Sequence, residues 1–326
     1  MKNYLFVINP NAQNGNAYKI WKKNEDMFFD KLGDIEVLVT SSPYDAMQKI
    51  PKYVEEQGFN YLIAVGGEGT SNSIINAIIK EGLENKVVFG LVPLGNMNDY
   101  ALTMGLKRDI KNALDTLLTG KELRVSLIEA STNKNKGYAL NVSSAGIVSR
   151  ISKAHSYDRE MRWIKGKMKY TLLALKYLIK WKNIPFKATI DNEKIITGNL
   201  TVALTGLSPT TGGYYLTPHG RPQFRKFAVS IGKDLRRTEI IKLMDKATKN
   251  QLEPSKKLIF DFGEELILET KNPVILEVDG ELVDLGTNKI TYKICPHKIK
   301  FIYPKDSPRL KEREEEITLI ANKNRI

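Results

Sequence analysis

The spacing of apolar and polar positions changes near residue 125 and divides the chain into two regions. Before that point, short apolar runs such as "YLFVI", "YLIAV" and "VVFGLVP" alternate with stretches in which apolar residues recur every three or four positions. Buried strands that alternate with amphipathic helices predict βαβ units around a parallel sheet. We therefore expect residues 1–125 to form an α/β domain.

After residue 125 the pattern consists of successive short strands, separated by Gly, Asn, Pro and charged turns. This pattern predicts an antiparallel β-sandwich over residues 126–303, interrupted by one helical insert at 158–182. The tail, about residues 304–326, is expected to pack back on the first domain.

Composition narrows the classes of protein only slightly. The 326 residues suffice for two domains, and the net charge of +13 favours a polyanionic partner, although a merely basic soluble enzyme is equally compatible. Cys295 is the single cysteine, which suits a reducing compartment and predicts a cytoplasmic protein. The three histidines, His155, His219 and His297, lack the spacing of zinc ligands.

A glycine-rich loop follows the third predicted strand, in "GGEGTSN". Gly66 to Thr70 would let the backbone turn tightly, and the N-terminal N–H groups of the following helix would form an anion site. The loop lacks the Lys-Ser or Lys-Thr of a Walker motif, so a tight turn without a ligand remains an alternative. Glu68 would repel a phosphate unless a cation lay between them, which suggests Mg²⁺.

Two further polar loops are predicted at neighbouring strand ends. "PLGNMNDY" offers Asn96, Asn98 and Asp99 where a helix begins, although Asp99 could be only a helix N-cap. "NPNAQNGN" follows the first strand and supplies Asn9, Asn11 and Asn14 on the same edge of the sheet. Ligands bind at this edge in parallel sheets, so the three loops together predict a binding site.

With these motifs in order, the sequence resembles the bacterial diacylglycerol kinase-like lipid kinases, a family that includes the sphingosine-type kinases. The matching segments are "NPNAQNG", "GGEGTSNSIIN", "PLGNMNDYA", "YALNVSSAGI", "IKGKMKYTLLALKYL" and "EVDGEL". The resemblance implies an N-terminal Rossmann-like nucleotide domain and a C-terminal β-sandwich domain, with an active site in the cleft between them.

The resemblance also implies roles for individual residues and the use of ATP and Mg²⁺. Asp99 would organise the phosphate and metal region, Glu68 would reach the Mg²⁺ of Mg-ATP, and Glu281 would be the proton acceptor. The residues expected to contact ATP are Asn9, Asn11, Thr40, Gly66, Gly67, Glu68, Gly69, Thr70 and Asn96. From the residues alone, the "VDGEL" segment is better explained by a hairpin turn at Asp-Gly, and only the ordered family resemblance favours a catalytic role.

Two departures from the family pattern bear on activity. Glu68 replaces the usual Asp, so the carboxylate reaches one methylene further toward a metal with strict geometry. The acidic residues that usually hold a structural metal are missing near Gln223 to Phe227, so that metal is expected to be absent. Either Arg225 and Lys226 replace the cation's charge, or the usual active arrangement is lost.

Residues 159–182 form a basic segment with a net charge of +7 and interleaved aromatic residues. This composition predicts a peripheral contact with an anionic membrane, at its inner surface, while a helix pair with a solvated basic face is an equal alternative. No nucleic-acid recognition motif is present.

The leading function is an ATP- and Mg-dependent lipid kinase that phosphorylates a lipid hydroxyl, with diacylglycerol to phosphatidic acid as the first candidate reaction. Two alternatives stay open: a catalytically impaired lipid- or nucleotide-binding regulator of the same fold, and an enzyme resembling NAD kinase. The sequence does not identify the lipid, and a homodimer is neither required nor excluded by it.

Overall fold

The computed structural model divides the chain into two compact units. The described residues are 2–33, 35–156, 160–161, 163–164 and 166–312. The first unit consists of Met1–Val125 and His297–Lys311, and the second of Ser126–Pro296 with Glu312.

The first unit contains a sheet whose strands are parallel. The strands are β1 Tyr4–Ile8, β2 Ile35–Val39, β3 Tyr61–Gly66 and β4 Val88–Pro93. They lie in the order β4-β3-β1-β2, and each neighbouring pair is parallel. Every residue of β1, β3 and β4 is buried, which explains their unbroken apolar runs.

Helices connect these strands and cover the sheet. They are α1 Asn16–Asn24, α2 Asp26–Leu32, α3 Pro43–Gln57, α4 Glu68–Lys80, α5 Asp99–Thr103 and α6 Ile110–Thr119, with short 3₁₀ turns at Ala12–Gly15 and Arg309–Lys311. Trp21 of α1 packs between Phe6 and Phe28, with ring centroids 4.8 and 5.0 Å away. Helix α3 begins where the Ser42 side chain accepts a hydrogen bond from Asp45 N (3.1 Å).

The second unit is built from antiparallel strands. They are β5 Lys121–Ser131, β6 Lys136–Ala139, β7 Val142–Gly146, β8 Ile184–Ile190, β9 Lys194–Gly206, β10 Thr210–Thr211, β11 Tyr214–Tyr215, β12 Phe227–Lys233, β13 Leu258–Gly263, β14 Glu265–Val278 and β15 Glu281–Tyr303. The main order is β13-β12-β9-β7-β14-β15, and β8 pairs with both β9 and β14. The predicted change from strand–helix alternation to successive antiparallel strands is present in the structure.

Helices of the second unit only partly match the prediction. They are α7 Ile147–Ser156, α8 Gly166–Lys180 and α9 Arg237–Thr248. Helix α8 lies in the predicted insert, whereas α7 and α9 were not predicted. Helix α9 begins where the Glu239 side chain accepts the backbone N–H of Arg236 (2.7 Å). No helix in the described part of the chain is long and apolar enough to cross a membrane.

Strand β15 passes from the second unit into the first. Its residues Lys300 and Phe301 pair in parallel with Val88 and Phe89 of β4. The chain thus returns to the first unit at His297, seven residues before the predicted tail at residue 304. Residues 313–326, which complete that tail, lie outside the described part of the chain.

Candidate active site

The glycine loop after β3 ends in an open helix N-terminus. Gly67 is the N-cap of α4, and no side chain caps this helix end. Gly67 also lies against Gly95 of the next loop, where a Cβ atom added to Gly95 would be 2.4 Å from the Gly67 Cα. The backbones of the two loops are therefore in direct contact, and the N-terminus of α4, which has no side-chain cap, favours an anion.

The loop after β4 is braced by the side chain of Asn98. Its amide donates to the carbonyls of Pro93 (3.0 Å) and Gly95 (2.9 Å), and its oxygen accepts from Gly95 N (3.1 Å). Asn98 is buried and adopts a positive φ of 54°, a conformation that asparagine tolerates. Asn98 thus shapes the turn, whereas Asn96, predicted to contact ATP, is exposed.

Glu68 joins these two loops. Its Oε1 accepts a hydrogen bond from the backbone N–H of Asp99 at 3.1 Å, so the first residue of α4 is linked to the first residue of α5. Asp99 is almost fully buried. The carboxylate between the glycines therefore faces the neighbouring loop, and it brings together two residues that are 31 positions apart.

The loops after β1 and β2 are also tied to the strand ends. Asn9 Oδ1 accepts from Asn11 N (2.9 Å), which tightens the turn after β1. The buried Thr40 donates both its N–H (2.9 Å) and its hydroxyl (3.2 Å) to the Ile8 carbonyl. The Asn14 side chain lies outside the described part of the structure. These contacts hold the ends of β1 and β2 side by side at the same edge of the sheet.

The arrangement in the first unit fits a phosphate with a divalent cation. Backbone N–H groups at a helix N-terminus favour an anion, and the Glu68 carboxylate lies in the first turn of the same helix, bonded to the backbone N–H of Asp99. A magnesium ion that arrives with a nucleotide needs only one or two protein carboxylates, because phosphates and waters complete its coordination. In the described part of the chain, no three His, Cys, Asp or Glu side chains form a metal site by themselves.

Glu281 belongs to the second unit, where a tight turn presents it. Asp279 (φ 49°) and Gly280 (φ 88°) both have positive φ, as a two-residue hairpin turn requires, and Glu281 then begins β15 opposite Val278. The Asp279 carboxylate accepts hydrogen bonds from three consecutive backbone N–H groups. These donors are Leu140 N (2.8 Å), Asn141 N (3.0 Å) and Val142 N (3.0 Å).

A second buried carboxyl, Glu277, underlies the same turn. Its oxygens accept hydrogen bonds from the Ser144 hydroxyl and from Gly280 N. Burial raises the pKa of Glu277 from 4.5 to about 7; the two hydrogen bonds oppose this rise, and the nearby charges of Asp279 and Glu281 add to it. No role was predicted for Glu277 from the sequence, although a glutamate inside the apolar run "VILEV" is a usable signal.

The basic segment that replaces the expected acidic pair is organised by Arg221. Its guanidinium donates to the carbonyls of Pro218 (3.1 Å) and Gly220 (2.8 Å) and pairs with Glu312. Arg225 is exposed, and the Lys226 ammonium lies 4.0 Å from the exposed Glu264. Arg221, for which no role was predicted, is thus a side chain that gathers carbonyl oxygens in this region.

Comparison with known proteins gives matches along most of the chain. Residues 3–130 match the diacylglycerol kinase catalytic domain, and residues 141–303 match the YegS C-terminal NAD kinase beta sandwich-like domain. The chain is 25% identical over 227 residues to a diacylglycerol kinase of Staphylococcus saprophyticus, covering 69% of this chain and 72% of the relative. A diacylglycerol kinase of Staphylococcus carnosus is 23% identical over 227 residues, covering 69% and 71%.

The fold is also similar to a solved structure. The crystal structure of a diacylglycerol kinase from Bacillus anthracis superimposes with a TM-score of 0.69 at 19% identity, covering 93% of this chain and 97% of the other. The two domain matches show that the chain belongs to the bacterial diacylglycerol kinase-like lipid kinase family. It is a kinase, and the family implies ATP as the phosphate donor and a lipid as the acceptor. The predicted mixed α/β chain with a sandwich-like second domain is confirmed.

Proposed function

We propose that this protein transfers the γ-phosphoryl group of Mg-ATP to the hydroxyl of a membrane lipid, with diacylglycerol as the first candidate. The hydrogen bond from Asp99 N to Glu68 is the observation that carries the proposal. It joins two loops at a helix N-terminus that has no side-chain cap, and it fixes the Glu68 carboxylate in the first turn of that helix. In this proposal the first unit is a Rossmann-like nucleotide domain, supported by its parallel strand pairs.

The first unit would bind the nucleotide through its loops. The N–H groups at the start of α4 would hold phosphate oxygens, and Asn9, Asn11, Thr40 and Asn96 would contact the rest of ATP. Mg²⁺, held by Glu68 and Asp99, would neutralise charge on the transferring phosphoryl group. The longer reach of glutamate at position 68 is compatible with this role, because Glu68 already extends to the neighbouring loop.

Glu281 would accept the proton of the lipid hydroxyl. The hydroxyl oxygen would then attack the γ-phosphorus of ATP, and ADP would leave. A general base has to be held in a fixed orientation. The three hydrogen bonds from backbone N–H groups to the Asp279 carboxylate fix the turn that precedes Glu281. In the same proposal, the first unit is the ATP-binding domain and the second unit is the lipid-substrate domain.

We further propose that the protein works as a peripheral protein at the inner surface of an anionic membrane, through residues 159–182. Lys180 and Lys182 are exposed and can contact anionic headgroups. Arg162 and Lys165, which contribute to the same basic segment, lie outside the described residues. Lys169 is buried and donates to the His155 carbonyl (3.2 Å), so it is not part of the proposed basic surface.

The test is an assay in which Mg-ATP is incubated with vesicles containing a diacylglycerol, a sphingoid base or an isoprenoid alcohol, and the product mass is measured. NAD is included as a soluble acceptor. We expect one lipid to gain a phosphoryl group, and chelation of Mg²⁺ to stop the reaction. Phosphorylation of NAD instead would support the enzyme resembling NAD kinase. Nucleotide or lipid binding without any product would support the regulator and overturn the proposal.

A further inference from the structure

Helix α8 carries a row of exposed apolar side chains along one face. Met168, Leu172, Leu175 and Ile179 are spaced by four, three and four residues, which places them on a single stripe of the helix. Met168 and Ile179 are 62% and 67% exposed, and Leu172 and Leu175 are 36% and 37% exposed. We call these four residues the α8 stripe.

The opposite face of α8 is packed and fixes the orientation of the helix. Leu173 and Leu178 are buried in a cluster with Ile147 and Ile151 of α7. The buried Lys169 donates to the carbonyl of His155 near the end of α7 (3.2 Å). Because the helix already has its own apolar face in this cluster, the α8 stripe is a second apolar face, and the fold leaves its two end residues mostly exposed and its two central leucines about one third exposed.

The surroundings of the stripe are cationic. From Trp163 to Lys182 the sequence contains six lysines and no acidic residue, although Lys169 is buried and Lys176 pairs with Glu160. Lys180 and Lys182 are exposed next to the last stripe residue, and Trp163, before the helix, is 83% exposed. An apolar helix face with exposed lysines at its C-terminal end and an exposed tryptophan before its N-terminus is typical of a helix that lies in the headgroup region of a membrane.

We propose that the α8 stripe enters the boundary between headgroups and acyl chains of an anionic bilayer, with the flanking lysines on the headgroups. The charge selects this occupant over a second copy of the chain, because two identical cationic faces would repel each other. The inference deepens the proposed function, since it says how a lipid kinase would reach its acceptor. It also predicts that part of the membrane affinity survives high salt, because apolar contacts are not screened by ions.

The experiment compares two double variants of matched exposure. Met168→Gln with Ile179→Gln replaces the two most exposed residues of the stripe. The control, Ile195→Gln with Leu285→Gln, replaces two apolar residues of the second unit outside the stripe, which are 60% and 66% exposed. Full-length protein is sedimented with phosphatidylcholine vesicles containing phosphatidylglycerol, at low salt and at about 1 M salt, where screening limits charge interactions to about 3 Å. Melting temperatures of both variants verify that they are folded.

At high salt we expect the stripe variant to bind at least about tenfold more weakly than wild type, since each lost apolar contact reduces the area removed from water. The control should bind as wild type does. Wild-type binding that vanishes at high salt, or a stripe variant that binds like the control, would overturn the proposal. A stripe variant that loses a dimer seen by analytical ultracentrifugation without vesicles would assign the face to a second copy and would also overturn it.

An independent readout is the environment of Trp163. Vesicles should shift the tryptophan fluorescence of wild type to the blue, and Trp163→Phe should lose that shift while keeping the α8 stripe. Binding is measured without ATP, so it is independent of turnover. If no acceptor is phosphorylated but binding depends on the stripe, the proposed function fails and the membrane surface stands. If lipid is phosphorylated and the stripe variant binds normally, only the membrane surface fails.

Discussion

The two regions with candidate catalytic residues are stabilised in opposite ways. In the first unit, the loops after β3 and β4 meet where side chains are missing, with Gly67 against Gly95, and Glu68 links them through one backbone N–H. In the second unit, the turn before Glu281 is held by side chains, because the buried carboxyls of Asp279 and Glu277 accept backbone and hydroxyl hydrogen bonds.

The difference indicates what each region can tolerate. A region held by close backbone approach is sensitive to added volume and insensitive to pH. A region held by buried carboxyls is sensitive to pH and to the loss of an acceptor, because each buried donor then lacks a partner. The comparison therefore predicts different responses to substitution.

Removing the Asp279 carboxylate should have the largest effect. In Asp279→Ala, three buried N–H groups lose their acceptor, and we expect the free energy of unfolding to fall by about 4 kcal/mol. Chemical denaturation measures this change. Asp245→Ala, which removes an exposed ion pair with Lys249, should cost less than about 0.5 kcal/mol. Similar losses in both variants would mean that Asp279 does not hold the turn.

The pH dependence of stability should report Glu277. Its folded pKa is raised from 4.5 to about 7, so the folded state retains a proton that the unfolded state releases, and the resulting stability is lost as pH rises from 4.5 to 7. Glu277→Gln can accept from Gly280 N without ionising. As pH rises across this window, the free energy of unfolding of the variant should increase relative to that of wild type by roughly 3 kcal/mol. The variant should be the more stable protein above pH 7.

Melting temperatures at several pH values measure this gain. Glu253→Gln, a substitution at an exposed carboxyl, is the control and should leave the pH dependence unchanged. Curves for Glu277→Gln and wild type that stay parallel from pH 4.5 to 7 would show that the buried carboxyl does not titrate in this range.

Glu281→Gln separates the proposed chemistry from nucleotide binding. If Glu281 accepts the proton of the lipid hydroxyl, turnover should fall by about a hundredfold or more, the usual scale for a general base. ATP affinity, assigned to the loops of the first unit, should not change when measured by calorimetry. Glu264→Gln, at an exposed position in the same unit, is the matched control. A Glu281→Gln enzyme with near wild-type turnover would remove Glu281 from the mechanism.

The sequence predicted local features of the fold better than contacts between distant residues. The loops after β1, β3 and β4 were placed at strand ends by apolar runs that stop at Gly, Pro and Asn. The hydrogen bond between Glu68 and Asp99 could not be predicted in this way. It depends on the relative positions of the ends of two neighbouring strands, which the sequence pattern does not give. For the same reason Asn98 was taken as a group offered to a ligand, whereas its amide is used within its own turn.

The second unit was harder to predict because strand and helix signals overlap there. Helix α9 lies in the charged segment "RRTEIIKLMDKATKN", in which Ile240 and Ala247 pack inward. This helical spacing was not recognised because successive strands were expected in this region. Strand β15 runs through from Glu281 to Tyr303, although its polar positions predicted several shorter strands. Polar residues interrupt the apolar pattern without interrupting the hydrogen-bonded strand.

A graded glycine series tests the first unit's half of the comparison. In Gly95→Ala the new Cβ would lie 2.4 Å from the Gly67 Cα and 2.5 Å from Asn98 Oδ1, so the backbone itself has to move. Gly67→Ala meets the Gly95 Cα at 3.2 Å, and Gly286→Ala meets only the Pro273 Cβ at 3.6 Å, an ordinary contact. We expect the free energy of unfolding to fall by about 2 kcal/mol in Gly95→Ala, by less in Gly67→Ala and hardly at all in Gly286→Ala. Calorimetric ATP titrations should weaken in the same order, while the pH dependence of melting stays that of wild type because the Asp279 turn is unchanged. Equal ATP affinity in all three variants would show that the contact between the two loops does not shape the nucleotide site.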